Sequence, residues 1–244
     1  LQETISSKLF KDKFGICRFI LNRGHMLGKK LLCLFSIFIF FSCGIDDIVY
    51  LEPPKLVHSP TGYHDAAHMY FEFETSDKKN WGIGEFLGFE VYYRIYESET
   101  DCKNLIKNMV QYDESNPANS VTYLLSSYNY KLLTYQGHSY QDRPIVPASG
   151  SPVNRRVRFR IEALTSYPNV FSIDGTIQGK VLRQFGEEFA DAKSGDYDVQ
   201  SSSNPSPDSF YVAAFAATYG FDKSFRPLYS SLISLGYVKI KKNT

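Results

Sequence analysis

Three histidines, a row of arginines and a cysteine behind an apolar run are the residues of this 244-residue chain whose types and spacing could do chemistry. In His64-Asp65-Ala66-Ala67-His68 the spacing would set two imidazoles on one face of a helical turn. Zinc sites use that spacing, and His58 or Asp65 could supply a third ligand. No glutamate follows the first histidine, so the zinc-protease pattern is absent. The alternative is a polar loop ahead of a strand, and it is preferred: three neighbouring histidines arise readily by chance, whereas zinc demands matched geometry. Arg156, Arg158 and Arg160, preceded by Arg155, alternate with Val157, Phe159 and Ile161. Alternation puts three guanidiniums in one row on a sheet face. Such a row could grip a phosphate, a lipid headgroup or another anionic partner in bidentate fashion. The competing reading is a solvated face balanced by acidic neighbours such as Glu162. No nucleophile elbow, phosphate loop, dinucleotide fingerprint or paired cysteine and histidine occurs, so nothing points to an enzyme or to a cofactor. The expectation is a non-enzymatic binding or structural module, with a metal- or small-ligand-binding protein using His58, His64 and His68 as the alternative.

The cysteine is Cys43. Lys29 and Lys30 precede the apolar run Leu31 to Phe41, and Ser42 stands directly before Cys43. An apolar segment of about eleven residues suits an export signal and falls short of the roughly 20 a spanning helix needs. Phe40-Phe41-Ser42-Cys43 resembles the lipobox of bacterial lipoproteins, with Phe40 where Leu is commoner, a looseness that spirochaete lipoproteins tolerate. The resemblance implies that the Cys43 sulfur carries a diacylglycerol, that the chain is cut before it, and that the new amino terminus is acylated. Two or more acyl chains suffice for stable anchoring. The implied location is the bacterial cell envelope, facing the periplasm or the outside, with the membrane as partner through lipidated Cys43. On this reading residues 1–25 are an upstream extension, 26–42 the signal peptide, 43–60 a lipidated tether and 61–244 the folded domain. The alternatives are an ordinary cleaved signal with Cys43 as an incidental thiol, or a buried apolar strand.

Charge excludes one class of partner. Residues 1–42 hold seven of the 27 basic and two of the 26 acidic residues, leaving 20 basic against 24 acidic, a net charge of −4, for the remainder. Nucleic-acid binders are basic, so no nucleic-acid partner is expected. With Cys43 lipidated, Cys102 has no disulfide partner within the processed chain and reads as a small buried hydrophobe rather than a reactive thiol.

The elements that must position these groups are mostly strands. Phe89, Val91, Tyr93 and Ile95 share one face of a strand over Phe86 to Tyr96, and Glu90, Tyr92, Arg94 and Tyr96 the other, the mark of a half-buried strand. Tyr70 to Thr75 alternates in the same way, and Phe210 to Ala216 is apolar on both faces, as a central sandwich strand requires. Leu105, Ile106, Met109 and Val110 recur at helical spacing behind a Thr100 cap and predict a helix over 101–112. Val121 to Tyr135 reads as strands, Asn169 to Phe185 as a hairpin around Asp174-Gly175, and Lys193 to Ser209 as a mobile loop. Tyr92, Tyr96, Tyr128, Tyr130 and Tyr211 could line a sheet surface suited to protein or glycan contact, or pack inside a sandwich.

Pro53-Pro54, the Tyr70–Thr75 strand and Gly88-Phe89-Glu90-Val91-Tyr92-Tyr93-Arg94 resemble the A, B and C strands of a fibronectin type III domain. Ser209 to Asp222 and Leu228 to Ile240 resemble its F and G strands. More than a hundred residues lie between the C-like and F-like strands, where that family has a few tens. The implied fold is a mostly β, fibronectin/immunoglobulin-like β-sandwich with an insertion at about 97–208 that contains a short helix.

Overall fold

A computed structural model of the chain describes residues 49–242 apart from residue 165. The signal segment and Cys43 lie outside the described residues. In order, the elements are β1 (Lys55–His58), β2 (Phe71–Glu74), the one-turn helix α1 (Asp77–Asn80), β3 (Phe86–Tyr96), α2 (Glu99–Ser115), α3 (Ser120–Ser126), β4 (Lys131–Leu132), β5 (Thr134–Tyr135), β6 (Val146–Pro147), β7 (Arg156–Phe159), β8 (Val170–Ile173), β9 (Thr176–Leu182), β10 (Val199–Gln200), β11 (Ser209–Phe221), β12 (Pro227–Tyr229) and β13 (Ile233–Lys241). Among the described residues no helix is long and apolar enough to cross a membrane.

The protein is a β-sandwich. One sheet runs β1-β2-β7-β8-β9-β5; the other is built on β3 and β11, with β13 and β12 beyond β11 and β10, β4 and β6 along β3. In immunoglobulin lettering β1, β2 and β7 take the places of A, B and E, and β3, β11 and β13 those of C, F and G. The insertion is therefore not wholly an addition: β7, within 97–208, is a sandwich strand, and β8 and β9 extend its sheet. The fold also starts early. Leu51 is buried, and the Glu52 carbonyl accepts hydrogen bonds from Ser76, Asn80 and Thr218. From Leu51 onward the 43–60 segment is thus wall, not tether.

The strand pair β3–β11 is buried on both sides. Phe89, Val91, Tyr93 and Ile95 meet Phe210, Val212, Ala214 and Ala216, and both sets face Phe71, Phe73, Val157, Phe159 and Phe171 of the other sheet. On the reverse side Tyr92, Tyr96, Tyr211, Ala213 and Phe215 pack under Cys102 and Met109 of α2 and Val121 and Leu124 of α3. The half-buried reading of β3 is corrected here: its second face is roofed by helices. Tyr92, Tyr96, Tyr130 and Tyr211 accordingly lie inside the protein rather than on a sheet surface.

Helix α2 begins earlier than its apolar spacing indicates, because Ser98 and not Thr100 caps it, its hydroxyl accepting from the Asp101 amide. Of the strands expected over Val121 to Tyr135, β4 and β5 form in the second half of that stretch, while its first half is α3, since Val121 and Leu124, one turn apart, bury together against β3 and β11. The hairpin β8–β9 turns at Asp174-Gly175 with φ of 49° and 78°, the two positive values that a tight primed turn demands. Cys102 is a free, buried cysteine whose thiol pKa burial pushes well up, so it stays protonated and inert.

Buried arginine–carboxylate pairs clip the long connections down. Arg183 Nε donates to Asp198 Oδ2 at 2.8 Å, its Nη2 reaches Asp198 Oδ1 and Asp196 Oδ2, and the Tyr93 hydroxyl donates to Asp198 at 2.6 Å. The 193–209 segment, expected as a mobile loop, is thereby tied at Asp196 and Asp198 to Arg183 just after β9 and to Tyr93 of β3. Burial works against the Arg183 charge, but hydrogen bonds and attraction from Asp198 raise its pKa. On the other side of β3, fully buried Glu90 takes a bidentate pair from Arg143 and a hydrogen bond from the Tyr92 hydroxyl. Near β2, Asp77 accepts from Arg155, Thr75 and the Ser149 amide. Replacing Arg183 by Met leaves the Asp198 carboxylate buried without its cation, which costs about 3–5 kcal/mol. A drop of that order in stability from urea denaturation is the expected result, and a loss of under about 1 kcal/mol, an ordinary surface-mutation effect, would disprove the clip.

Candidate functional site

The two groups of residues singled out by chemistry, far apart in sequence, meet on the outer face of the first sheet around Tyr70. In β2, Phe71 and Phe73 point inward, leaving Glu72 and Glu74 outward; in β7, Val157 and Phe159 point inward, leaving Arg156 and Arg158 outward. Antiparallel register sets Glu72 opposite Arg158 and Glu74 opposite Arg156. Arg158 reaches Glu72 at 2.6 Å, and Arg156 lies 3.4 Å from Glu72 and 3.3 Å from Glu74. The row is therefore balanced across strands, by Glu72 and Glu74 rather than by Glu162.

Arg160 does a different job. It is buried, and its guanidinium donates to the carbonyls of Ala66, Ala67 and Met69. Those carbonyls belong to the 61–69 loop, which has no helical bonds to satisfy them. Arg160 thus holds the loop, and an open row of three arginines reduces to Arg156 and Arg158, each with about half of its side chain exposed.

The same loop carries the histidines. Residues 64–68 form a turn, not a helix, so His64 and His68 do not share a helical face. Asp65 sets the turn: its carboxylate accepts from the His68 amide at 3.2 Å and from His68 Nδ1 at 2.6 Å. The hydrogen bond from the His68 side chain is the main cause holding the Asp65 carboxyl below its usual range. The pair therefore supports the turn at neutral pH and loses that support in acid, as Asp65 becomes protonated. His58 Nε2 donates to the His68 carbonyl at 2.9 Å. His58 stacks on Tyr70 at 4.1 Å between ring centroids, and His68 stacks on Tyr63 at 4.9 Å. His64 is exposed. Among the described residues no group of three His, Cys, Asp or Glu side chains is arranged to hold a metal ion. The metal reading of His58, His64 and His68 is therefore corrected: two imidazoles serve as hydrogen-bond donors and stacking partners within the loop.

What results is a cluster of rings and guanidiniums. Arg158 lies over the Tyr70 ring at 4.3 Å, and Arg160 over Tyr167 at 4.7 Å. Tyr63 and Tyr167 are 45% and 39% exposed, so the cluster presents ring edges and faces to solvent rather than burying them. Tyrosine and arginine held in fixed orientations offer large contact area at small entropic cost. Sequence reasoning did place Tyr70 beside Glu72 on the outward face. It missed Tyr63 and Tyr167, whose positions depend on how Arg160 folds the loop and on the turn after β7.

Comparison with known proteins found no matching family model, no matching curated protein and no matching solved structure.

Converting Glu72 to Gln removes the carboxylate that both Arg156 and Arg158 face. The variant is expected to sediment with vesicles containing anionic lipid more than the wild-type chain does, and added salt should erase the difference. Equal sedimentation at low salt would show that Glu72 does not restrain the pair.

Proposed function

We propose that this chain is a lipid-anchored protein of the bacterial cell envelope whose β-sandwich acts as a non-enzymatic binding module. The order of charge, apolar run, small residue and cysteine from Lys29 to Cys43 supports the anchor. The binding role rests on one observation: the solvent-facing cluster of His58, Tyr63, His68, Tyr70 and Tyr167, braced by Arg158 and Arg160, on the outer face of the β1-β2-β7 sheet. Aromatic rings and arginines of this kind are the residues on which protein contacts concentrate their energy. A neighbouring envelope protein is the partner this surface fits best. Arg156 and Arg158, already matched by Glu72 and Glu74, would steer an acidic segment of that partner only by exchanging one carboxylate for another.

Two measurements bear on this reading. Mass spectrometry of the processed amino terminus should find Cys43 as the first residue, with fatty acid attached; an unmodified Cys43 inside a longer chain would remove the anchor. Photo-cross-linkers placed at Tyr63 and at Tyr167 should capture the same partner in cells, while one at Ile177, exposed on β9, should not. Capture at all three positions alike, or at Ile177 only, would rule out the Tyr70 face as the binding surface.

A further inference from the structure

On the far side of the molecule from Tyr70, beyond the second sheet, a cleft of about 430 Å³ opens between α2, the residue Tyr128 after α3, and the end of β10 at Gln200 with the Ser201–Ser203 segment that follows it. Its volume lies within the roughly 300–1,000 Å³ of small-molecule sites. Its lining mixes polar groups with the apolar Leu105 and the rings of Tyr96 and Tyr128. Asp101, Asn104 and Asn108, at spacings of three and four residues on α2, form one wall, and Gln200, Ser202 and the Tyr128 side chain face them. Among the described residues the Asn104 and Asn108 amides make no side-chain hydrogen bond, so donors and acceptors one helical turn apart are free for a ligand. No lysine or arginine lines the cleft, and Asp101 is its one carboxylate.

The opposite wall is braced from behind. Arg94 is 7% exposed, and no carboxylate lies within ion-pair reach of it among the described residues. Its guanidinium donates to the Tyr128 carbonyl at 2.5 Å and to Gln200 Oε1 at 2.9 Å. With that oxygen occupied, the Gln200 amide nitrogen donates to the Ser201 carbonyl at 3.4 Å, which leaves one of its two N–H groups for a ligand. Ser202 donates to Asp101 Oδ2 at 2.6 Å across the cleft's edge, which ties the strand-end segment to α2. A buried cation that holds both Tyr128 and Gln200 fixes this one wall rather than leaving it to collapse.

We propose that this cleft binds a neutral carbohydrate. Sugar hydroxyls both donate and accept, which is what paired amides and serines match. The Asp101 carboxylate strengthens a hydrogen bond from a hydroxyl, and the Tyr128 ring offers an apolar face to the C–H side of a pyranose. A phosphate or an acidic sugar would meet Asp101 with no lining cation to offset it, and a purely apolar ligand would strand the amides. The site is independent of the Tyr70 surface, since the two lie on opposite sides of the β3–β11 pair.

The test uses the full chain with glucose, N-acetylglucosamine, cellobiose, maltose and chitobiose as neutral probes and glucuronate and inorganic phosphate as charged ones. Binding is read by saturation-transfer NMR and calorimetry. At least one neutral sugar should bind, and the double variant Asn104→Ala, Asn108→Ala should weaken it roughly tenfold or more, the size expected for lost hydrogen bonds. Both positions are exposed, and alanine favours the helix, so circular dichroism should stay unchanged. Gln200→Ala, on the other wall, should weaken the same sugar, whereas Tyr70→Ala should leave it untouched. The proposal is overturned if no neutral sugar binds at millimolar concentration, if the charged probes bind in their place, or if the double variant binds the sugar as the wild type does.

Discussion

The pairing of β3 with β11 is the constraint from which the rest of the structure follows. The two strands run antiparallel from Phe86–Tyr96 to Tyr211–Gly220 and bury side chains on both faces. A strand with two buried faces needs two partners. The aromatic sheet of β2, β7 and β8 supplies one, and the helices α2 and α3 supply the other. The insertion between the C-like and F-like strands is therefore structural. Without α2 and α3, Tyr92, Tyr96, Tyr211 and Phe215 would lie open as a large apolar patch of the kind soluble proteins avoid.

Covering both faces with long connections raises a second problem, which charge solves. β3 carries Glu90 and Arg94 among its buried side chains, and the connections bring their partners or neighbours. Arg143 meets Glu90, and Arg183 pairs with Asp196 and with Asp198, the latter also accepting from the Tyr93 hydroxyl. Buried charges of this kind add little net stability over apolar residues, but each tolerates only its own partner. They fix where the connecting segments lie. Arg94, without a carboxylate partner among the described residues, instead positions Tyr128 and Gln200 at the rim of a cleft.

The two surfaces with ligand-like chemistry arise from one arrangement. Among the described residues no helix covers the outer face of the first sheet, so Tyr70 and its arginines stay at solvent. The second sheet's outer face is covered, and the edge where α2 and the segment after β10 meet leaves a polar gap. One is an aromatic surface whose arginines are matched by Glu72 and Glu74; the other is a recess in which amides, hydroxyls and Asp101 lie beside Leu105 and Tyr96.

By itself the sequence determined the strong strands Phe86–Tyr96 and Ser209–Phe221, the Asp174-Gly175 hairpin, the amphipathic helix and the sandwich class, because period-two and helical spacing and a tight turn's demand for positive φ are local properties. It also set out the Lys29–Cys43 order on which the envelope reading stands. Tertiary structure alone decided the rest. Alternation in β3 says that two faces differ, not what covers each, so the roofing of Tyr92 and Tyr96 by helices was not legible. Ser120–Ser126 became helical because Val121 and Leu124 found a shared surface, while the residues after it kept to short strands at Lys131–Leu132 and Thr134–Tyr135. Arg160 looked like its neighbours in the row and became a loop anchor, since only the folded 61–69 turn brings three unsatisfied carbonyls to it. The histidines and arginines met at Tyr70 because strand register, which pairs Glu72 with Arg158, is set by the packing of Phe71 and Phe159 on the inner face and by nothing in the spacing of the charged residues themselves.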